Sequence, residues 1–295
     1  MQKKIDMTRV KDWTSLVKIS HLIFSLPFAF VGFGLAYISH AHNFSFYLLL
    51  YVFLAVFFAR NAAMAFNRIV DKEFDARNER TRNREIPAQK IKHTSALFFV
   101  GINSVLFILI TFFINTLCFY LSFVALAIVL GYSYSKRFTF LCHYFLGLGL
   151  AIAPMGAYLT LAGSFDTVPM LISLAVLFWV AGFDILYSLQ DEEFDRTQNL
   201  HSVPARFGRK TALNIARIGH FITVLALLFA ALLMDAGIWN YIGLSIFSGI
   251  LFYEHFIVKV QDISRVNFAF AILNGIAGIV YATFFLFDLF LFYIL

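Results

Sequence analysis

Charge is what this sequence has least of. Asp, Glu, Lys and Arg together make up 14% of its 295 residues, while hydrophobic residues make up 61% and the mean hydropathy is strongly positive. That balance excludes a water-soluble globular domain and marks an integral membrane protein. Cysteine is nearly absent too. Cys118 and Cys142 lie in or at the edge of apolar stretches without metal-type spacing, so they are read as small core residues, with no disulfide framework. There is also no apolar/polar alternation of the kind a lipid-facing barrel needs, which leaves helices as the spanning element. The start of the chain lacks the layout of a signal peptide, because a polar stretch of about 13 residues precedes the first long apolar run; that run is expected to stay in the membrane.

Nine apolar segments of roughly 20 residues, the length a helix needs to cross the hydrocarbon core, lie near 17–38, 45–66, 95–114, 116–134, 142–162, 168–190, 211–234, 237–257 and 268–292. They predict one all-α integral membrane domain over 1–295, with about nine transmembrane helices in a bundle around a central cavity. Basic residues set the orientation. They gather in the N-terminal stretch (Lys3, Lys4, Arg9, Lys11, Lys18), in the connection from Arg68 to Lys92, at Lys136 and Arg137, at Arg196, Arg206, Arg209 and Lys210, and at Lys259 and Arg265. The alternate connections carry no Lys or Arg, and their charges are Asp166 and Asp235. The N-terminus is therefore expected in the cytoplasm, in a multi-pass protein of the cell inner membrane. The net charge of +6 is explained by this topology and by anionic lipid headgroups, so nucleic acid is not an expected partner.

What charge there is repeats. Asp71-Lys72-Glu73-Phe74-Asp75 and Asp191-Glu192-Glu193-Phe194-Asp195 stand 120 residues apart, each where an apolar segment runs into a charged connection. Upstream, Arg60, Asn67, Asp71 and Asp75 are spaced 7, 4 and 4, and Asp184, Tyr187, Asp191 and Asp195 are spaced 3, 4 and 4, so each set falls on one helix face. Tyr187 holds the place in the second set that Asn67 holds in the first, as in a diverged duplication. Arg60 and Asp184 lie well inside apolar stretches, where an ionisable group costs at least ~2.5 kcal/mol unless it faces a polar cavity or a partner. The run Arg77-Asn78-Glu79-Arg80-Thr81-Arg82, by contrast, reads as a solvated loop. Glycines at Gly147-Leu148-Gly149 and Gly275-Ile276-Ala277-Gly278 read as close helix contacts within the chain.

Four carboxylates facing one cavity call for cations. Mg²⁺ takes one or two carboxylates and completes its octahedron with water and phosphate oxygens, so the implied ligand is a diphosphate whose organic remainder lies between apolar helices. An isoprenoid diphosphate has that form. A transporter with an intramembrane cation site is the alternative from another class, although its coupling residues belong near mid-bilayer on broken helices.

The two motifs resemble the signatures of the UbiA superfamily of intramembrane prenyltransferases. Lys18-Ile19-Ser20-His21, Leu26-Pro27-Phe28-Ala29, Ala59-Arg60-Asn61-Ala62-Ala63-Met64-Ala65-Phe66-Asn67-Arg68 and Leu200-His201-Ser202-Val203-Pro204-Ala205-Arg206-Phe207-Gly208 are similar to the 4-hydroxybenzoate polyprenyltransferase branch and its menaquinone-pathway relatives. The resemblance implies Mg²⁺-dependent transfer of a polyprenyl group from polyprenyl diphosphate to a small aromatic acid, in ubiquinone or menaquinone biosynthesis. The acceptor is 4-hydroxybenzoate or, alternatively, 1,4-dihydroxy-6-naphthoate. Asp71 and Asp75 would hold one Mg²⁺ and Asp191 and Asp195 the other, with Asn67 assisting. Lys136 and Arg137 would meet diphosphate oxygens, and Tyr187 a developing cation. Arg60, then Lys18 and His21, would meet the acceptor's carboxylate, with Asp184 facing the same cavity, while His201 and Arg206 would cap the site. No protein partner is indicated.

Overall fold

A computed structural model describes residues 7–39 and 45–293. Lys3, Lys4 and most of the first short connection lie outside the described residues. The described chain is built of helices: α1 Met7–Val17, a 3₁₀ turn Ile19–Phe24, α2 Leu26–Ser39, α3 Phe46–Val70, α4 Lys72–Arg77, α5 His93–Ile114, α6 Thr116–Ser135, α7 Cys142–Ala162, α8 Thr167–Ser188, a 3₁₀ turn Leu189–Asp191, α9 Glu192–Thr197, α10 Val203–Leu233, α11 Ile238–Ile257, α12 Val266–Phe268, a π turn Ala269–Leu273, and α13 Asn274–Tyr293.

Seven helices among the described residues are long and apolar enough to cross a bilayer, or eight if Lys11–Phe24 and Leu26–Ser39, which meet at 46°, count as one broken span. The expectation was nine. The difference falls on α11, which has 20 residues but carries Asn240, Tyr253, Glu254 and His255 along with its apolar ones. The first predicted span, 17–38, is not one helix either. Lys18 takes a left-handed conformation (φ 48°), a 3₁₀ turn follows, and α2 starts only at Leu26. Pro27 fits the restart: it has no N–H to hydrogen-bond back into the preceding turn and is tolerated in the first turn of a helix.

In lipid, helices associate through close packing and backbone approach, since lipid tails are as apolar as side chains. α8 is the centre of the arrangement, packed between α7 and α10. A Cβ on Gly147 would lie 2.3 Å from the Leu177 carbonyl oxygen, and one on Gly32 would lie 2.0 Å from that of Pro154, so α7 meets α8 and α2 backbone to backbone. Gly147 thus makes the intramolecular contact expected of it. The main core collects Phe28, Trp179, Phe247, Tyr281 and Phe285, all buried, beneath the polar end. Thr223 on α10 donates to the Ala175 carbonyl at 3.2 Å and ties α10 to α8.

Candidate active site

Both motifs sit where a long helix gives way to a short one. α3 ends at Val70, Asp71 forms the joint (φ −87°, ψ 5°), and α4 carries Asp75. α8 ends at Ser188, a 3₁₀ turn carries Asp191, and α9 carries Asp195. The single continuous helix face implied by the spacing is therefore broken at the first aspartate of each motif. The hydrogen bond Asp75 N–H to Asp71 C=O (2.8 Å) keeps the helical step across the first joint. Both arms line one cavity of about 1250 Å³.

The cavity has a charged mouth and an apolar depth. Asp71, Asp75, Asp191 and Asp195 line the mouth, together with Asn67, Tyr187, Lys136 and Arg137; Arg60, Asp184, Lys18 and His21 also line it. All twelve sequence-predicted site residues thus face the same space. His201 and Arg206 do not. The His201 amide donates to the Lys136 carbonyl at 2.7 Å, and the Arg206 guanidinium lies over the rings of Phe140 and Phe207, 4.9 and 5.5 Å away. The two residues brace the connection after α9 from outside the cavity, which corrects their expected capping role.

The four aspartates share the cavity but not one point. No three metal-type side chains converge among the described residues. Each carboxylate has a cation of its own instead. Arg80 forks onto Asp191 (Nε to Oδ1 3.0 Å, Nη2 to Oδ2 2.5 Å), Arg84 meets Asp75 at 2.7 Å, Lys136 meets Asp195 at 2.7 Å, and Arg137 stands 3.7 Å from Asp71. Asn67 donates to Asp71 at 2.9 Å and Asn78 to Asp191 at 3.1 Å.

Asn78 and Arg80 were expected in a solvated loop, and Arg84, just beyond it, was assigned no role. The connection from Asn78 to Lys92 instead folds back over the mouth, anchored by buried Thr81, Ile86 and Ile91 and by the Thr81 hydroxyl donating to the Asp75 carbonyl at 3.1 Å. Arg82 on the same run stays exposed. Ile86 and Ile91, two apolar residues in the second half of so basic a stretch, were the signal available.

Burial raises Asp71 from its ordinary value to about 6; neighbouring Asp75 pushes the same way, while Lys136, Arg137 and Arg68 pull against it. Burial disfavours the charge on Arg80, but the hydrogen bond and charge of Asp191 outweigh it and hold Arg80 above its usual value. Lys136 is raised in the same way, burial being outweighed by Asp195. These are strong charge-assisted contacts, and they leave acceptor capacity unused: Oδ2 of Asp75 and Oδ2 of Asp195 are buried without a hydrogen-bond partner. Carboxylate oxygens buried beside the cavity with acceptor capacity unused fit a hard divalent cation with oxygen ligands.

Deeper in, Arg60 has a buried Nε without a hydrogen-bond partner, and among the described residues no carboxylate lies within ion-pair distance of it. At 1.5 Å per residue it sits roughly 16 Å along α3 from Asp71. Asp184 is paired, with His143 on α7 at 2.7 Å. The amide of Val203 donates to Nε2 of His143 (3.2 Å), which leaves Nδ1 to carry the proton toward Asp184. Spacing could not reveal His143, because its partner lies on another helix. His21 sits among rings, 5.4 Å from Phe24 and 5.5 Å from Phe270.

A family model described as the UbiA prenyltransferase family matches residues 25–293. The chain belongs to that family. It is 26% identical to the 4-hydroxybenzoate octaprenyltransferase of Marinobacter nauticus over 86% of both chains, and 28% identical to that of Nitrosomonas europaea over 80% of both. Among solved structures, the apo form of a UbiA homolog from Aeropyrum pernix K1 superposes with a TM-score of 0.78 at 30% identity, covering 88% of this chain and 97% of that one. A UbiA homolog from Archaeoglobus fulgidus, solved with DMAPP and Mg²⁺, shares the fold at 20% identity (TM-score 0.69; 91% and 99% covered).

Proposed function

We propose that this UbiA-family membrane enzyme transfers a polyprenyl group from polyprenyl diphosphate to a ring carbon of 4-hydroxybenzoate in quinone biosynthesis, releasing pyrophosphate. One observation carries the reading: two aspartate pairs, brought from helix ends 120 residues apart, face a single cavity whose mouth is ionic and whose depth is apolar. A diphosphate with a long hydrocarbon tail has that polarity.

Asp71 and Asp75 on one wall, and Asp191 and Asp195 on the other, are the residues that would hold Mg²⁺; when bound, it neutralises the diphosphate's charge as that group departs. Arg80, Arg84, Lys136 and Arg137, which now answer the aspartates, turn to the diphosphate oxygens, and Asn67 steadies Asp71. The ring of Tyr187 stands one turn before Asp191, where an allylic cation forms. Arg60, without a carboxylate of its own, takes that of the acceptor. Lys18 and His21 flank the same side, and Asp184, oriented by His143, faces the acceptor ring. The basic residues of the connections around the mouth support a reading in which it faces the cytoplasm.

The test uses purified protein in lipid nanodiscs with Mg²⁺, a labelled polyprenyl diphosphate and, in parallel, 4-hydroxybenzoate or 1,4-dihydroxy-6-naphthoate. Prenylated 4-hydroxybenzoate that depends on both Mg²⁺ and Asp71 is the expected product. Prenylated naphthoate alone moves the enzyme to the menaquinone branch; no release of pyrophosphate with either acid refutes the reading.

A further inference from the structure

One polar cluster inside the bundle plays no part in the site described so far. Asn274, fully buried, accepts from Trp179 Nε1 at 2.7 Å and donates through Nδ2 both to Glu254 Oε1 (2.8 Å) and to the Ala269 carbonyl (3.0 Å). Its backbone N–H also donates to the Ala269 carbonyl, the bond that closes the π turn. Glu254 is fully buried on α11, and Trp179 is fully buried on α8. A Cβ on Gly278, one turn beyond Asn274, would lie 3.1 Å from the Trp179 ring, a tight contact. One amide thus ties three helices to a single carbonyl.

A π turn is rare and occurs mostly as a single turn inside an α-helix, frequently at functional sites. This one carries Phe270. It lines the cavity, with its ring 4.3 Å from Tyr187, 5.4 Å from Phe24 and 5.5 Å from Phe183. Tyr187 in turn lies beneath the Arg80 guanidinium, 5.3 Å from its centroid. Phe270 therefore stands against the residue one turn below Asp191, at the level where the carbon–oxygen bond of a bound diphosphate would break.

Resting on the prenyl-transfer reading, we propose that Phe270 is the aromatic wall that partitions the allylic cation between acceptor and water, and that Asn274, with Glu254 and Trp179, is the positioning device that holds it there. When the C1–O bond breaks, the electron pair leaves with pyrophosphate. C1 then takes a π pair from the acceptor ring, which loses its proton, or a lone pair from water, which loses a proton to give prenyl alcohol. An aromatic face stabilises the cation and excludes water, and such a contact is worth on the order of tenfold in this competition.

The experiment measures geraniol and prenylated acid per pyrophosphate released from geranyl diphosphate and Mg²⁺, with and without 4-hydroxybenzoate, in nanodiscs of phosphatidylethanolamine and phosphatidylglycerol. Phe270→Leu raises the alcohol-to-acid ratio about tenfold, and also the alcohol released without acceptor, while KM for the diphosphate stays within about twofold. Asn274→Leu and Glu254→Leu shift the ratio the same way, and Glu254→Gln, which keeps an acceptor oxygen for Asn274, restores it. Asn274→Leu adds nothing to Phe270→Leu. In a Trp13→Phe, Trp239→Phe background, loss of the Asn274 bond also shifts the emission of Trp179. A Phe270→Leu enzyme with the parent ratio overturns the proposal, even where the Asn274 variants fail to fold. If the parent leaves 4-hydroxybenzoate unprenylated yet releases geraniol, the acceptor reading fails while the Phe270 comparison of alcohol released stands; no turnover of geranyl diphosphate at all sinks both.

Discussion

Aspartate does opposite work at the two ends of this bundle. At the end away from the motifs, Asp288 accepts from the amides of Gly237 (2.8 Å) and Trp239 (3.1 Å), capping α11, and Asp166 takes the hydroxyl of Tyr158. Asp288 thus faces neutral backbone donors in fixed geometry, helix-terminal N–H groups being the natural partner of a carboxylate. At the motif end the four aspartates meet side-chain cations, Arg80, Arg84, Lys136 and Arg137, on connections and helix ends, and two of them retain an unused oxygen. A carboxylate held by backbone is finished structure. One held by an exchangeable side chain, with acceptor capacity left over, is set up to change partners.

The contrast breaks first, and hardest, at Asp191. Asp191→Ala removes a proposed metal ligand and frees Arg80, and kcat for prenyl transfer falls at least about a hundredfold, since metal-borne charge stabilisation is worth several kcal/mol; initial rates at saturating Mg²⁺ check this. Arg80→Gln separates the two roles of the guanidinium. It lifts competition from Asp191, so Mn²⁺ binds several-fold tighter without substrate, while kcat/KM for the diphosphate drops about tenfold, as expected for a charge-assisted contact worth 1.5–3 kcal/mol.

pH sharpens the comparison within one residue. Asp71 is raised to about 6 by burial and by Asp75, so it is protonated below that value, and only the deprotonated form receives a metal. Metal affinity therefore falls about tenfold per unit as pH drops below 6 and levels off above it. Mn²⁺ titrations of the parent protein between pH 5 and 8 check that step. The smallest effect belongs to the far end: Asp288→Ala leaves kcat unchanged and costs about 1 kcal/mol, the usual worth of a cap, read as a lowered thermal midpoint.

Much of this was legible in the chain because membrane helices write long, continuous signals. Segment positions, the helix-end location of both motifs and the inward face of Arg60 and Asp184 all follow from apolar length and from the cost of a charge in lipid. What stayed hidden was created by breaks in helices and by contacts between them. The joint at Asp71, the turn at Leu189–Asp191 and the bend at Lys18–Ser25 are departures from ideal periodicity that spacing assumes away. Arg80 and Arg84 look like solvent-exposed charge until the connection folds back on Thr81, Ile86 and Ile91. Phe270 was lost among 38 phenylalanines, and only the π turn at Asn274 distinguishes it from a lipid-facing neighbour.

The central claim is that the two aspartate pairs exchange protein cations for divalent metal when a diphosphate arrives. Mn²⁺ binding to the protein in nanodiscs, followed by electron paramagnetic resonance with and without inorganic pyrophosphate, tests it most directly. The account predicts strong, pyrophosphate-dependent Mn²⁺ binding that is lost in both Asp71→Ala and Asp191→Ala. Binding that ignores pyrophosphate, or survives either substitution unchanged, would contradict it.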